Sequence, residues 1–101
     1  MTFKYIARVY LLSKALSKVS LTSQELYTLY AVQTAHPARF TDVNFTLIVN
    51  KITKTQIFTI KYLKQLIVKE FISRKGYIYT ITPKGTTALY EVEKRLRDNM
   101  L

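Results

Sequence analysis

Seven basic side chains stand between residues 51 and 75 (Lys51, Lys54, Lys61, Lys64, Lys69, Arg74 and Lys75), against one carboxylate, Glu70. A local surplus of +6 is suited to holding anions rather than to making or breaking bonds, because ammonium and guanidinium groups neutralise phosphate and Arg offers it a fork of donors. Residues 1–50 carry five basic and two acidic side chains, and residues 76–101 carry four and three, so more than half of the formal charge of +10 sits in one quarter of the chain. Within that quarter Thr53, Lys54, Thr55 and Gln56 are consecutive, which mixes phosphate-seeking groups with side chains able to read base edges.

Other chemistries are poorly supplied. The chain has no cysteine, which excludes disulfides, thiolate metal sites and cysteine nucleophiles. Its single histidine, His36, stands before Pro37 and reads as a helix terminator; alone, it cannot build a multi-histidine zinc site. The many Ser and Thr residues have no histidine partner at a readable spacing, and two glycines make no phosphate-cradling loop. The carboxylates Glu25, Asp42, Glu70, Glu91, Glu93 and Asp98 fall mostly where helix caps or salt pairs explain them. The expectation is a non-enzyme with no catalytic residue, no metal and no cofactor.

The 101 residues, 49% of them apolar, suit a single domain over 1–101. No apolar run approaches the roughly 18–20 residues that span a bilayer. Lys4, Arg8, Lys14 and Lys18 interrupt every apolar stretch before the first acid, Glu25. That basic start reads as a structural first helix rather than a transit peptide or a membrane-surface helix, and the expected location is the cytoplasm, in association with the nucleoid.

Five helical segments and one hairpin must position the cations. A first helix over 3–18 carries Tyr5, Val9, Leu12, Leu16 and Val19 as a heptad seam, with Phe3, Ile6 and Tyr10 as a second stripe. Thr22 and Glu25 fit a capping box, and Leu21 with Leu26 a hydrophobic staple, for a second helix that stops near Ala35. Thr41 is the expected cap of a short third helix with Val43, Leu47 and Ile48 as its apolar positions and a turn at Asn50. A fourth helix from about Lys54 is expected to turn Ile57, Ile60, Leu63 and Leu66 or Ile67 inward. Gln56, Thr59, Lys61, Lys64 and Gln65 then face out. Phe71-Ile72-Ser73 and Tyr77–Ile81 are β-rich runs joined by Arg74-Lys75-Gly76, where Gly76 supplies the positive φ of a tight turn. Thr82-Pro83 opens a last helix with Leu89, Val92, Leu96 and Met100 on its inner stripe.

The fold class is therefore mainly α with a small β-hairpin. In order, the segments describe a winged helix-turn-helix with flanking N- and C-terminal helices, the helix-turn-helix over about 41–68 and the wing over about 70–82. Three pieces also resemble winged helix-turn-helix regulators of the MarR type: Leu21-Thr22-Ser23-Gln24-Glu25-Leu26, Ile52-Thr53-Lys54-Thr55-Gln56-Ile57 running on through Tyr62-Leu63-Lys64, and Tyr79-Thr80-Ile81-Thr82-Pro83-Lys84-Gly85. The resemblance covers most of residues 21–100. It implies terminal helices that build a homodimer, here through Tyr5, Val9, Leu12, Leu16, Leu89, Val92 and Leu96.

Duplex geometry assigns the expected roles. Thr53, Lys54, Thr55 and Gln56 open the recognition helix, Gln56 can bond an adenine bidentately, and Thr55 or Thr59 can meet a thymine methyl. Lys61 and Lys64 suit phosphates, and Arg74 and Lys75 suit the minor groove or its backbone. The partner expected is double-stranded DNA, no membrane is expected, and no effector is named by the residues. The leading expectation is a sequence-specific, dimeric transcriptional regulator. Alternatives are an accessory factor in replication, partition or mobile-element transfer, a winged-helix module that binds protein, and a single-strand binder using exposed aromatics.

Overall fold

The computed structural model describes Leu16, residues 19–35 and residues 37–100, with the backbone alone at residues 96 and 98–100. Leu16 is helical and buried; the rest of the seam expected over 3–18, with Tyr5, Val9 and Leu12, lies outside the described residues except for Val19. His36 lies outside them too.

Helix α1 (Ser23–Thr34) starts as its residues require. The Thr22 hydroxyl accepts from the Glu25 N–H at 3.2 Å, and Glu25 Oε1 accepts from the Thr22 N–H at 2.9 Å, closing the capping box. Strand β1 (Ala38–Arg39) then runs straight into helix α2 (Phe40–Val49). This corrects the expected cap: Arg39, not Thr41, is the N-cap of α2, and no side chain bonds there. The reason is that Ala38 and Arg39 are held extended by pairing with Tyr79 and Ile78, so the chain can turn helical only after them. Helix α3 (Gln56–Val68), strands β2 (Ile72–Lys75) and β3 (Ile78–Ile81) and helix α4 (Pro83–Met100) complete the order.

The architecture is mainly helical with a small antiparallel sheet of order β1-β3-β2. The hairpin is where the sequence places it, with Gly76 at φ +61°, and β1 adds a third strand that two residues of sequence do not reveal. Leu26, Leu29 and Val32 of α1 pack with Val43 and Leu47 of α2, Leu63 and Leu66 of α3, Ile72 of β2, and Leu89 and Val92 of α4 in one core. Tyr30 ties α1 to α4 by donating to Glu93 Oε1 at 2.5 Å; burial, and then the adjacent carboxylate, push its phenol above the ordinary range. Among the described residues no helix is long and apolar enough to cross a membrane.

Three helical segments end in the same way without glycine. Ser20, Lys51 and Glu70 take φ values of 59°, 59° and 65°. The apolar residue that follows each then donates its N–H back five residues: Leu21 to Leu16 (3.2 Å), Ile52 to Leu47 (2.8 Å) and Phe71 to Leu66 (2.9 Å). These are Schellman closures, in which the residue after the left-handed one also returns to the core. Gly85 occupies a tighter place. The Thr82 hydroxyl accepts from the Gly85 N–H at 3.0 Å and donates to the Glu70 carbonyl at 2.6 Å, drawing the start of α4 onto the end of α3. A Cβ on Gly85 would stand 2.1 Å from the Phe71 carbonyl oxygen.

Two substitutions should therefore move stability in opposite directions. Gly85→Ala forces backbone apart and should destabilise by about 3 kcal/mol. Glu70→Gly relieves a left-handed residue whose side chain makes only an exposed 3.9 Å contact with Lys84, and should stabilise by about 0.5–1 kcal/mol. Urea denaturation with a fitted slope checks both; a neutral Gly85→Ala would refute the close approach.

Candidate nucleic-acid interface

Helix α3 carries the charge, and its rotation decides what it presents. Thr59, Leu63 and Leu66 face the core, while Ile57, Lys61, Lys64 and Val68 run along the opposite side at helical spacing. This corrects the inward stripe: Ile57 is 71% exposed and Ile60 is exposed as well. Isoleucines lie on several sides of this helix, so apolar periodicity alone does not choose among faces. Hydrogen bonding makes the choice, because Thr59 can be buried at no polar loss: its hydroxyl donates to Asn44 Oδ1 of α2 at 2.8 Å.

Two of the expected DNA contacts are thereby removed from the surface. Thr59 is fully buried and Thr53 is 5% exposed, their hydroxyls 3.4 Å apart. They fasten the turn between α2 and α3 instead of reaching a groove. The same turn is closed by Asn50, whose Nδ2 donates to the Thr46 carbonyl at 2.8 Å, and by left-handed Lys51.

The remaining residues stay accessible. Lys54, Thr55 and Gln56 are exposed at the start of α3, where Thr55 is the N-cap and no side chain satisfies the first N–H groups. Lys61 and Lys64 are exposed further along. Arg74 and Lys75 are exposed at the end of β2, and Arg74 is oriented by donating from Nε to the Gly76 carbonyl at 2.9 Å and by lying 5.8 Å from the Tyr79 ring centre. Lys51, exposed at the turn, joins them; its signal was its place directly after the helix-ending Asn50. Lys69 does not join them, since its ammonium is held by Glu25 and the Ser20 carbonyl. Phe58 and Tyr62 stack at 6.5 Å on the flank of α3, Phe58 exposed and Tyr62 half-buried.

The dimer surface expected on the terminal helices also changes. Leu16, Leu89 and Val92 are buried in this chain's own core, where α1 and the sheet cover the inner side of α4, so they are not free to meet a second copy. The side chain of Leu96 is not among those described.

Comparison with protein-family models, with curated proteins and with solved structures returns no match for this chain.

Thr59→Val keeps the shape of the buried side chain and removes its hydrogen bond to Asn44. It should lower stability by about 1 kcal/mol and leave the base preference of any bound DNA unchanged, read by denaturation and by selection from a random-duplex pool. An altered base preference would return Thr59 to the interface.

Proposed function

We propose that the chain is a winged helix-turn-helix protein that binds duplex DNA in a sequence-specific way and regulates transcription, with α2 and α3 as the helix-turn-helix and the β2–β3 hairpin as the wing. The observation that carries this reading is the placement of exposed cations: Lys51, Lys54, Lys61, Lys64, Arg74 and Lys75 all belong to the turn, α3 or the hairpin. A solvated surface has no reason to concentrate charge on the elements that a major groove admits. The resemblance of residues 21–100 to MarR-type regulators supports the same reading.

In this reading Gln56 reads a base edge from the first turn of α3, Lys61 and Lys64 hold phosphates, and Arg74 and Lys75 reach the backbone beside the groove. Ile57, exposed next to Gln56, replaces Thr59 as the residue that meets a thymine methyl. Two copies on one duplex would set their recognition helices roughly 34 Å apart. A second reading, a protein partner with an acidic and apolar surface, is favoured by Ile57 and Val68 at either end of the lysine pair.

A salt titration separates the two. With about four phosphates met by each of two subunits, log affinity for duplex should fall against log salt with a slope near about −7; a slope near zero removes the DNA reading. Lys64→Ala should weaken all sequences alike and flatten that slope. Gln56→Ala should cost roughly 1–3 kcal/mol on the preferred site alone and relax one base position. Competition with random duplex measures both, and equal losses on specific and random DNA would show that Gln56 reads nothing.

A further inference from the structure

Strand register brings together two cations that stand far apart in the chain. Arg39 of β1 and Lys75 of β2 both pair with Ile78 of β3, one on each side of it. Residues directly opposite each other in a sheet share a face, so Arg39, Ile78 and Lys75 form one row across it. Alternation along the strands adds Ser73 and Thr80, which pair with each other, to the same face. Burial agrees: Arg39, Ser73, Lys75 and Thr80 are exposed and Ile78 is half-buried, whereas Ala38 and Ile72, on the other face, lie in the core. Arg74, next along β2, belongs with Tyr79 to that other face.

No residue of the outer face is acidic. Only the backbone of Arg39 serves the fold, pairing with Ile78 and donating its N–H to the Pro37 carbonyl at 3.2 Å. Among the described residues its side chain makes no hydrogen bond and no ion pair, and it caps nothing at the start of α2. Asp42 shares a hollow with Arg39 without pairing with it. Neighbouring strands lie about 4.8 Å apart, so the two cations rise from points about 10 Å apart. The minor groove of a duplex is narrower, about 6 Å. Two long side chains so placed reach phosphates on both of its walls, with uncharged Ile78, Ser73 and Thr80 between them. Charges on edge strands also deter pairing with other chains, and β1 and β2 are both edges. That role is indifferent to the sign of the charge, and duplex binding is not.

We propose that the outer face of the sheet is part of the duplex-binding surface, with Arg39 and Lys75 holding phosphates on opposite walls of a minor groove. This rests on the duplex-binding reading above and adds to it Arg39, from outside the helix-turn-helix and the hairpin. A contact to phosphate strengthens binding to every sequence and selects none.

The test measures the full chain against a duplex selected from a random pool and against random duplex, over a series of salt concentrations. Arg39→Ala should weaken both alike, roughly fivefold near 0.15 M salt, and make the slope of log affinity against log salt shallower by about 0.9, the share of one phosphate. Arg39→Lys should keep most of the affinity and the slope. Arg39→Glu, which preserves a charged edge, should bind more weakly than Arg39→Ala. Urea denaturation should show all three as stable as the wild type. Neutral methylphosphonates, placed singly in the selected duplex, locate the contacts. The position that cancels the effect of Arg39→Ala should lie on the opposite strand, across the minor groove, from the one that cancels the effect of Lys75→Ala. Both positions on one strand would overturn the straddling geometry. A loss confined to the selected duplex would make Arg39 a base reader and overturn the phosphate contact. Unchanged affinity in all three variants, with the wild type still binding duplex, overturns the proposal and leaves Arg39 an edge guard. Absence of duplex binding by the wild type refutes the proposed function and this surface with it.

Discussion

Glu25 is the carboxylate around which the helices are set. It is 1% exposed, and one of its oxygens accepts both from the Thr22 N–H and from the ammonium of Lys69. That single atom joins the start of α1 to the end of α3, and Lys69 extends the link to the Ser20 carbonyl. A buried charge of this kind is tolerated only when it is met, and removing its partner leaves an uncompensated ion. Here the pairing converts an electrostatic requirement into a geometric one. Helix α3 must end beside α1.

The other end of α3 is held by neutral hydrogen bonds. Thr59 bonds to Asn44 of α2, with Thr53 against it, so α3 is fixed at both ends by polar contacts and along its length by Leu63 and Leu66. Neither attachment uses an outward-facing residue. Rotation about the helix axis is thereby settled without consuming Gln56, Lys61 or Lys64. The left-handed closures at Ser20, Lys51 and Glu70 then turn the chain sharply enough that few residues are spent in connections.

The hairpin's exposed cations stand where the core ends. Beyond Leu66 and Ile72 the chain turns into a hairpin whose outer half contributes little to packing, leaving Arg74, Lys75 and Tyr77 in solvent.

Much of this was legible in the residues themselves. Capping chemistry is local, so Thr22 with Glu25, Thr82 with Pro83, and Gly76 in its turn each mark an element end from a few neighbouring side chains. The order of helices and hairpin follows from those marks, and so does the concentration of charge over residues 51–75. Packing between distant segments is not local. Strand β1 exists only because β3 is present to pair with Ala38 and Arg39, and that pairing moved the start of α2. Thr59 went inward where Asn44, fifteen residues earlier, accepts a hydrogen bond from its hydroxyl, and Ile57 was left outside. Leu89 and Val92 carry the same apolar pattern whether a second copy or their own core covers them, and the tertiary structure placed them in the core. Sequence therefore determined the order of helices and hairpin and where the charge lies. Tertiary structure decided which face of each element turns outward, because a side chain's partner in space is not written in its spacing along the chain.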